Sequence, residues 1–315
     1  MRKGLLLYNP AAGQYSVKRF VRGIIAPLKA AGWSIDIAET LNGTHATQTA
    51  HQAAREKYDA VFAIGGDGTI NKVASGLVDS ETALGVIPAG TANVWAMEQG
   101  QKSFRFFNWW VLKENAQKLA NVEPQYVDVG LCNDSPFLLW AGVGLDAETV
   151  HKVEPRRHLF KHVHVPHYFV TTILEATFWK GLDLRIYADG QLVEGRYVVA
   201  VANNIRHYAG GLALLSPDAI LDDNEMDMWL LSGENLADAL GHLFDLASGR
   251  HLTSDQARRI PFRSARIESD AAFSIQVDGD PALGSHQANI SIRHRALKIL
   301  MPEDALHLLK NPKRR

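Results

Sequence analysis

The stretch FAIGGDGTINKVASG, Phe62 to Gly76, sets Gly65, Gly66, Asp67, Gly68 and Thr69 side by side between two apolar runs. Tyr58 to Ile64 reads as a short strand, and Ile70, Val73, Ala74 and Leu77 recur at helical spacing, so the glycines fall at a strand-to-helix turn. Backbone N–H groups freed at such a turn, with the positive end of a helix behind them, attract phosphate or another anion. Glycine permits the close approach that a side chain would block. Asp67 adds a carboxylate and Thr69 a hydroxyl. The pattern is neither G-x-x-x-x-G-K-[ST] nor G-x-G-x-x-G, so neither a Walker A loop nor a dinucleotide fingerprint accounts for it.

The surrounding elements place this chemistry. GLLLYNP, a helix through VKRFVRGIIAPLKAAG, SIDIAET, a helix from about Thr44 to Lys57, YDAVFAIGG, the helix after it and LGVIPAG follow a βαβα order with short links. That order predicts a parallel sheet covered by helices, with ligands at the carboxyl ends of the strands. Four strand ends carry unusual residues there: NPAAG, Glu39-Thr40, GGDGT and PAGTAN. From about Gln125 the rhythm becomes a series of strands, separated by turn signals such as NDSP, ADG and VDGD, which predicts an antiparallel sandwich or barrel-like domain. Helices are expected over about 158–179 and 235–248, and the run ALKILMP is expected to return to the first domain.

The 315 residues, 46% hydrophobic and 21% charged, suffice for two packed domains. A net charge of −1 gives no global attraction to nucleic acid, which is not expected as a partner. A single cysteine, Cys132, excludes an intrachain disulfide framework and suits a reducing cytoplasm as a buried small residue. The apolar run after Met1-Arg2-Lys3 is too short for a signal segment, and no window reaches about eighteen apolar residues. The expectation is a cytoplasmic protein, soluble or peripheral to the inner face of the membrane. The C-terminal KNPKRR reads either as a solvated tail or as a weak grip on an acidic membrane surface.

In order and spacing, YNPAAG, Thr40, GGDGTIN, IPAGTAN, VDVG, AGVGLDAE, the AGG of Ala209 to Gly211 with SPDAILDD, and VDGDP resemble the bacterial diacylglycerol kinase and sphingosine kinase-type lipid kinases. That family shares its nucleotide-binding fold with NAD kinases, and the resemblance covers nearly the whole chain. It implies a three-layer α/β nucleotide-binding domain over 1–125, completed by 296–315, and an antiparallel β-sandwich-like domain over 126–295. It implies that Asn9, Thr40, Gly65, Gly66, Asp67, Gly68, Thr69, Ile70, Asn71 and Thr91 hold ATP, with Asp67 beside the phosphates and Mg2+. Ile220, Asp223 and Glu225 match positions that bind a structural Mg2+, the first and third through carbonyl oxygens. Asp280 falls where the family usually has the glutamate of DGEP, the proton acceptor for the lipid hydroxyl. The implied activity is transfer of the γ-phosphate of ATP to a lipid hydroxyl at a membrane surface, in the cleft between the domains. A homodimer is compatible with this reading. The competing readings are an NAD kinase-like activity, because GGDGT is shared, and a non-catalytic nucleotide- or lipid-binding regulator.

Four departures bear on the last alternative. Asp280 is one methylene shorter than glutamate, about 1.5 Å of reach. Val94 replaces an acid in GTAND, Lys72 replaces an acid after GGDGTIN, and Asn224 replaces a glycine, a position where Asn tolerates the left-handed conformation. Lys72 reads equally as a phosphate contact or a solvated cation. HKVEPRRHLFKHVHVPHYF, with His151, His158, His162, His164 and His167, reads as a metal site, as a basic lipid entrance with Arg156, Arg157 and Lys161, or as a solvated helix face. In FRFFNWWVLKENAQKLA, Phe104, Phe107, Trp110, Val111 and Leu119 read as the buried stripe of one helix, against a lipid-binding alternative. His207 and Tyr208 are candidates to line the cleft.

Overall fold

Leucines at successive positions of GLLLY bury both faces of a strand, as a central parallel strand requires. In the computed structural model, which describes residues 1–10, 12, 13, 16–153 and 179–313, this strand is β1 (Arg2–Tyr8). Most of the helix expected over 158–179, including His158, Lys161, His162, His164 and His167, lies outside the described residues, as do Arg156, Arg157, Arg314 and Arg315. The chain forms two units, Met1–Val129 with Ile220–Asp223 and His294–Arg315, and Gly130–Ala219 with Asn224–Arg293.

In the first unit β2 (Trp33–Glu39), β1, β3 (Ala60–Gly65) and β4 (Ala83–Pro88) lie side by side in that order, each neighbour pair parallel. Helix α1 (Val21–Ala30) and α5 (Trp110–Leu119) cover one face, where Leu6, Phe62, Ile64 and Ile87 meet Ile24, Leu28, Leu112 and Leu119. The alternate residues Leu5, Leu7, Val61, Ala63, Leu84 and Val86 are buried on the other face, against α3 (Asp67–Leu77), which packs on α2 (Gly43–Arg55). Three layers result. The α2–α3 contact depends on Gly76, where a Cβ would run into the carbonyl oxygen of Thr47 and come within 2.9 Å of the Ala50 side chain.

The segment before α5 corrects the expected stripe. Phe104, Val111 and Leu119 are buried, but Phe107 is 84% exposed and Trp110 47% exposed. A 3-10 turn at Phe106–Asn108 intervenes, fixed by the Asn108 side chain, which accepts from Arg105 N–H and donates to Ser103 O at 3.2 Å. The helix begins only at Trp110, so spacing counted from Phe104 does not describe one face.

The last part of the chain completes this unit. Ile299 and Leu300, at the end of a long strand, pair parallel with Leu84 and Gly85 of β4. Buried Asp222 accepts from the N–H groups of Lys310 at 2.6 Å and Asn311 at 3.3 Å, and buried Asp128 accepts from Arg295 N–H at 2.6 Å.

The second unit is antiparallel. Its strands include β6 (Ser135–Phe137), β7 (Trp140–Gly144), β8 (Leu182–Ala188), β9 (Gln191–Asn203), the short pair β10 (His207–Tyr208) and β11 (Ala213–Leu214), β12 (Met226–Ser232), β13 (Ala257–Phe262) and β14 (Ser264–Val277). β5 (Pro124–Cys132) enters this unit at Gly130, and β15 (Asp280–Leu300) leaves it at Arg293. Both β7 and β8 bridge β9 and β14, wrapping the strands around a core of Phe137, Ile186, Met228, Phe262 and Ile267 with Cys132 among them. Burial pushes the Cys132 thiol up to about 12, which leaves it an inert apolar residue. Asn133-Asp134, Asp189-Gly190 and Asp278-Gly279 each close a hairpin with both residues at positive φ, the two-residue turn that suits twisted strands. The expected helix over 235–248 is α6 (Leu236–Ser248), capped by the Asn235 side chain.

Gly76→Ala is expected to lower stability by about 1–3 kcal/mol through overpacking at the α2–α3 contact. The check is a reduced urea midpoint, followed by circular dichroism, with an unchanged native spectrum.

Candidate active site

The carboxyl ends of the parallel strands meet through backbone. At the end of β3 the chain passes Gly65-Gly66 into α3, and at the end of β4 it passes Ala89-Gly90 toward α4 (Val94–Glu98). Ala89 N–H donates to Gly65 O at 2.9 Å, and a Cβ on Gly90 would collide with the Gly66 backbone. Gly65 is equally constrained, because a Cβ there would lie 2.6 Å from the Thr69 side chain. Asn9, just past β1, donates from Nδ2 to Thr69 Oγ1 at 3.1 Å. Thr40, just past β2 and buried, donates its N–H to Tyr8 O at 2.9 Å. Beside it Tyr8 donates its hydroxyl to Glu39 at 2.7 Å, which together with burial pushes the phenol up to about 12; Lys18 sits 3.5 Å from the same carboxylate.

Gly66, the residue before α3, has no side chain to cap the helix, and a Cβ on Gly68 would meet nothing within 4 Å. There is thus room beside the first turn of α3, and a helix N-terminus with such room can receive an anion on its N–H groups. Asp67, at the first helical position, accepts from Trp95 N–H at 3.1 Å. Burial pushes its carboxyl above the ordinary carboxylate range, while N–H groups at 93 to 95 and its own pull the other way. Asn71 is buried one turn further, accepting from Ser75 Oγ, and Ile70 is core; Thr91 is exposed.

Asn93 was not singled out by sequence reasoning, yet it shapes the second loop. It adopts the left-handed conformation at φ 57, accepts from Gly90 N–H at 2.8 Å and donates to Gly90 O at 2.9 Å. The signal was present in the GTAN spacing, which lets an Asn side chain bond back to its own loop. Val94 is buried, so this position is apolar. The stem of Lys72 lies along Gly43, where a Cβ would come within 3.3 Å of Cγ, and its carbonyl accepts from Thr47 Oγ1 at 2.8 Å.

In the second unit Asp280 opens β15 directly after the Asp278-Gly279 turn, paired with Val277 and half-buried. The turn is held twice. Asp278 accepts from the N–H groups of Leu138 at 2.9 Å, Leu139 at 2.9 Å and Trp140 at 3.1 Å. Gly279 N–H donates to Gln276 Oε1 at 3.0 Å, and Gln276 Nε2 donates to Asp146 Oδ2 at 3.1 Å. Tyr208 donates its hydroxyl to the same oxygen at 2.9 Å, and its ring meets Trp140 edge-on at 5.2 Å. Burial raises the Asp146 carboxyl from 3.8 to about 6, against those two donors and Ala147 N–H. A Cβ on Gly142 would come within 2.6 Å of Asp146 Oδ2, which accounts for the glycine of AGVG. His151 donates from Nε2 to Ile275 O at 2.8 Å, a structural use of one of the clustered histidines.

Among the described residues no group of three or more His, Cys, Asp or Glu side chains could hold a metal ion. Asp67 nevertheless fits Mg2+, which takes one or two carboxylates together with phosphate oxygens and water, because its buried charge is offset only by backbone dipoles. Ile220 and Asp223 lie in the first unit and Glu225, exposed, in the second. Asn224 between them has φ 66, as expected.

Two family models match this chain. Residues 3–131 match the diacylglycerol kinase catalytic domain, and residues 140–301 match the YegS C-terminal NAD kinase beta sandwich-like domain. The chain thus belongs to the diacylglycerol kinase catalytic-domain family, and it is an enzyme of the lipid kinase class. It is 25% identical to a diacylglycerol kinase of Bacillus subtilis (strain 168) over 96% of this chain and 98% of that protein. It is 28% identical to one of Staphylococcus haemolyticus (strain JCSC1435), over 96% and 90% of the two chains. The crystal structure of a diacylglycerol kinase from Bacillus anthracis str. Sterne superposes with a TM-score of 0.73 at 21% identity, over 96% and 98% of the chains. An Archaeoglobus fulgidus NAD kinase, solved in complex with ATP, shares the fold at a TM-score of 0.54 and 13% identity, over 97% and 96%.

The raised Asp146 carboxyl has a defined sign. Burial penalises its charged form, so the cost to stability is absent below 3.8 and fully present above about 6. Asp146→Asn keeps an accepting oxygen for Tyr208 and Gln276 without the charge. Its stability relative to the parent protein is expected to improve as pH rises through that window, read as the difference in urea midpoints.

Proposed function

We propose that the chain transfers the γ-phosphate of ATP to the hydroxyl of a diacylglycerol-like lipid. The observation that carries this is the open space at Gly68 in the first turn of α3, next to the contact between the Gly66 and Gly90 backbones, where a polyphosphate has room to approach the helix N-terminus. Asn9 and Thr69, already hydrogen-bonded to each other, and exposed Thr91 supply polar groups around it, and Thr40 closes the end of β2. Gly65 and buried Ile70 and Asn71 fix the turn and first helical turns that aim those N–H groups. Bound Mg2+ supplies charge neutralisation on the phosphates, and Asp67 is the side chain that would hold it. Ile220 O, Asp223 and Glu225 O are the oxygens that would be offered to a second, structural Mg2+ in this reading.

Asp280 is the proton acceptor in this reading. As the lipid oxygen bonds to the γ-phosphorus, the bond to the β,γ-bridging oxygen breaks, ADP leaves, and the hydroxyl proton passes to the Asp280 carboxylate. The hydrogen bonds to Asp278 and Gln276 hold the turn before Asp280, so the shorter acid is presented from a fixed hairpin. No described helix is long and apolar enough to cross a membrane. In this reading the protein works in the cytoplasm and meets its lipid as a peripheral visitor.

The test is a phosphorylation assay with labelled ATP on detergent-dispersed diacylglycerol and on NAD. Phosphate is expected on the lipid alone; transfer to NAD alone would sink the proposal. Asp67→Asn is expected to abolish turnover while leaving the thermal melt essentially unchanged. Asp280→Asn is expected to lower kcat by about 10²-fold or more with little change in KM for ATP. Full-rate turnover by that variant would remove Asp280 from the chemistry.

A further inference from the structure

Two segments of the first unit hold basic residues and no acid. Segment 17–30, VKRFVRGIIAPLKA, contains Lys18, Arg19, Arg22 and Lys29, and segment 102–113, KSFRFFNWWVLK, contains Lys102, Arg105 and Lys113. In a chain of net charge −1 this is a local excess. The segments pack together, because Val17, Val21, Ile24 and Leu28 share a core with Phe104 and Leu112. Their outer surface is aromatic. Phe107 is 84%, Trp109 50% and Trp110 47% exposed. The Phe20 ring stacks on Trp109 at 5.8 Å, Trp110 meets Trp109 edge-on at 6.4 Å, and the Arg19 guanidinium lies 5.4 Å from the Phe20 ring centre. Lys18 is engaged with Glu39, whereas Arg19, Arg22, Lys102, Arg105 and Lys113 are all exposed.

Large aromatics concentrated at a surface mark an interaction site, whereas single exposed apolar residues do not. Indole rings settle at the level of lipid headgroups, where the ring is apolar and the N–H is wet, and flanking cations are drawn to anionic lipid. A second copy of the chain is the poorer occupant. A two-fold interface sets one patch against itself and would oppose cation to cation with no acid in either segment. We propose that Phe107, Trp109 and Trp110, with the basic shoulder formed by Arg19, Arg22, Lys102, Arg105 and Lys113, are the surface by which this unit docks on an anionic lipid bilayer. The purpose of docking rests on the lipid kinase reading; the docking itself does not.

The experiment uses the full chain and vesicles of phosphatidylcholine with or without phosphatidylglycerol. Co-sedimentation only with the anionic vesicles is expected, weakening as salt is raised. The pair Phe107→Ser with Trp110→Ser, and separately Lys102→Glu with Lys113→Glu, are each expected to weaken binding about tenfold or more. Both variants should keep the parent melting temperature and the parent turnover on detergent-dispersed diacylglycerol. Equal vesicle binding by parent and variants, or no binding by the parent, overturns the surface. So does a parent dimer in analytical ultracentrifugation that the aromatic variant converts to monomer. Vesicle binding lost in the variants, with no turnover by any form, would retain the surface and defeat only the kinase reading.

Discussion

Two glycine backbones in contact, Gly66 after β3 and Gly90 after β4, set the limits within which the first unit works. Their approach leaves no volume for a Cβ on Gly90, and it joins two loops that sequence places far apart. Asn93 folds the second loop onto itself, and the N–H groups just after it hold Asp67 at the head of α3. The two loops are thus tied together by backbone contact and hydrogen bonds. Preorganisation of this kind suits phosphoryl transfer, where the protein contributes mainly position and charge.

The second unit solves a different problem with similar means. A tight hairpin turn is normally exposed and mobile, yet Asp278 gathers the three N–H groups of Leu138, Leu139 and Trp140 where the chain enters β7, and Gln276 ties the same turn to Asp146 and Tyr208. Buried acids elsewhere in the chain serve likewise as acceptors for backbone donors: Asp128 and Asp222 each gather N–H groups from the C-terminal segment. Carboxylates outdo neutral acceptors here, because charge-assisted bonds are shorter and stronger.

Much of this was legible in the residues. The βαβα rhythm, the strand-to-helix glycines and the Asp-Gly hairpin turns are local signals, and local signals survive without tertiary information. Gln276 was not legible: it sits in an alternating strand as an outward-type residue, and only the distant Asp146 and Tyr208 explain why it is buried. Asn93 was visible in its motif but not in its role. The aromatic stripe failed for a specific reason, since the Asn108-capped turn shifts the phase of the helix by interrupting it before Trp110. Helical spacing is informative only where the helix is continuous.

The first unit is assembled from three separated lengths of chain, and the last, from His294 onward, is made long after the first. Until it emerges from the ribosome, the edge of β4 lacks the partners Ile299 and Leu300, and Asp222 lacks the amides of Lys310 and Asn311. The nascent protein must therefore carry an unpaired, apolar strand edge while well over a hundred further residues are added. Such an edge invites wrong pairing, so the interval between the making of β4 and of its partner strand, rather than the finished fold, is where this architecture leans most on chaperones.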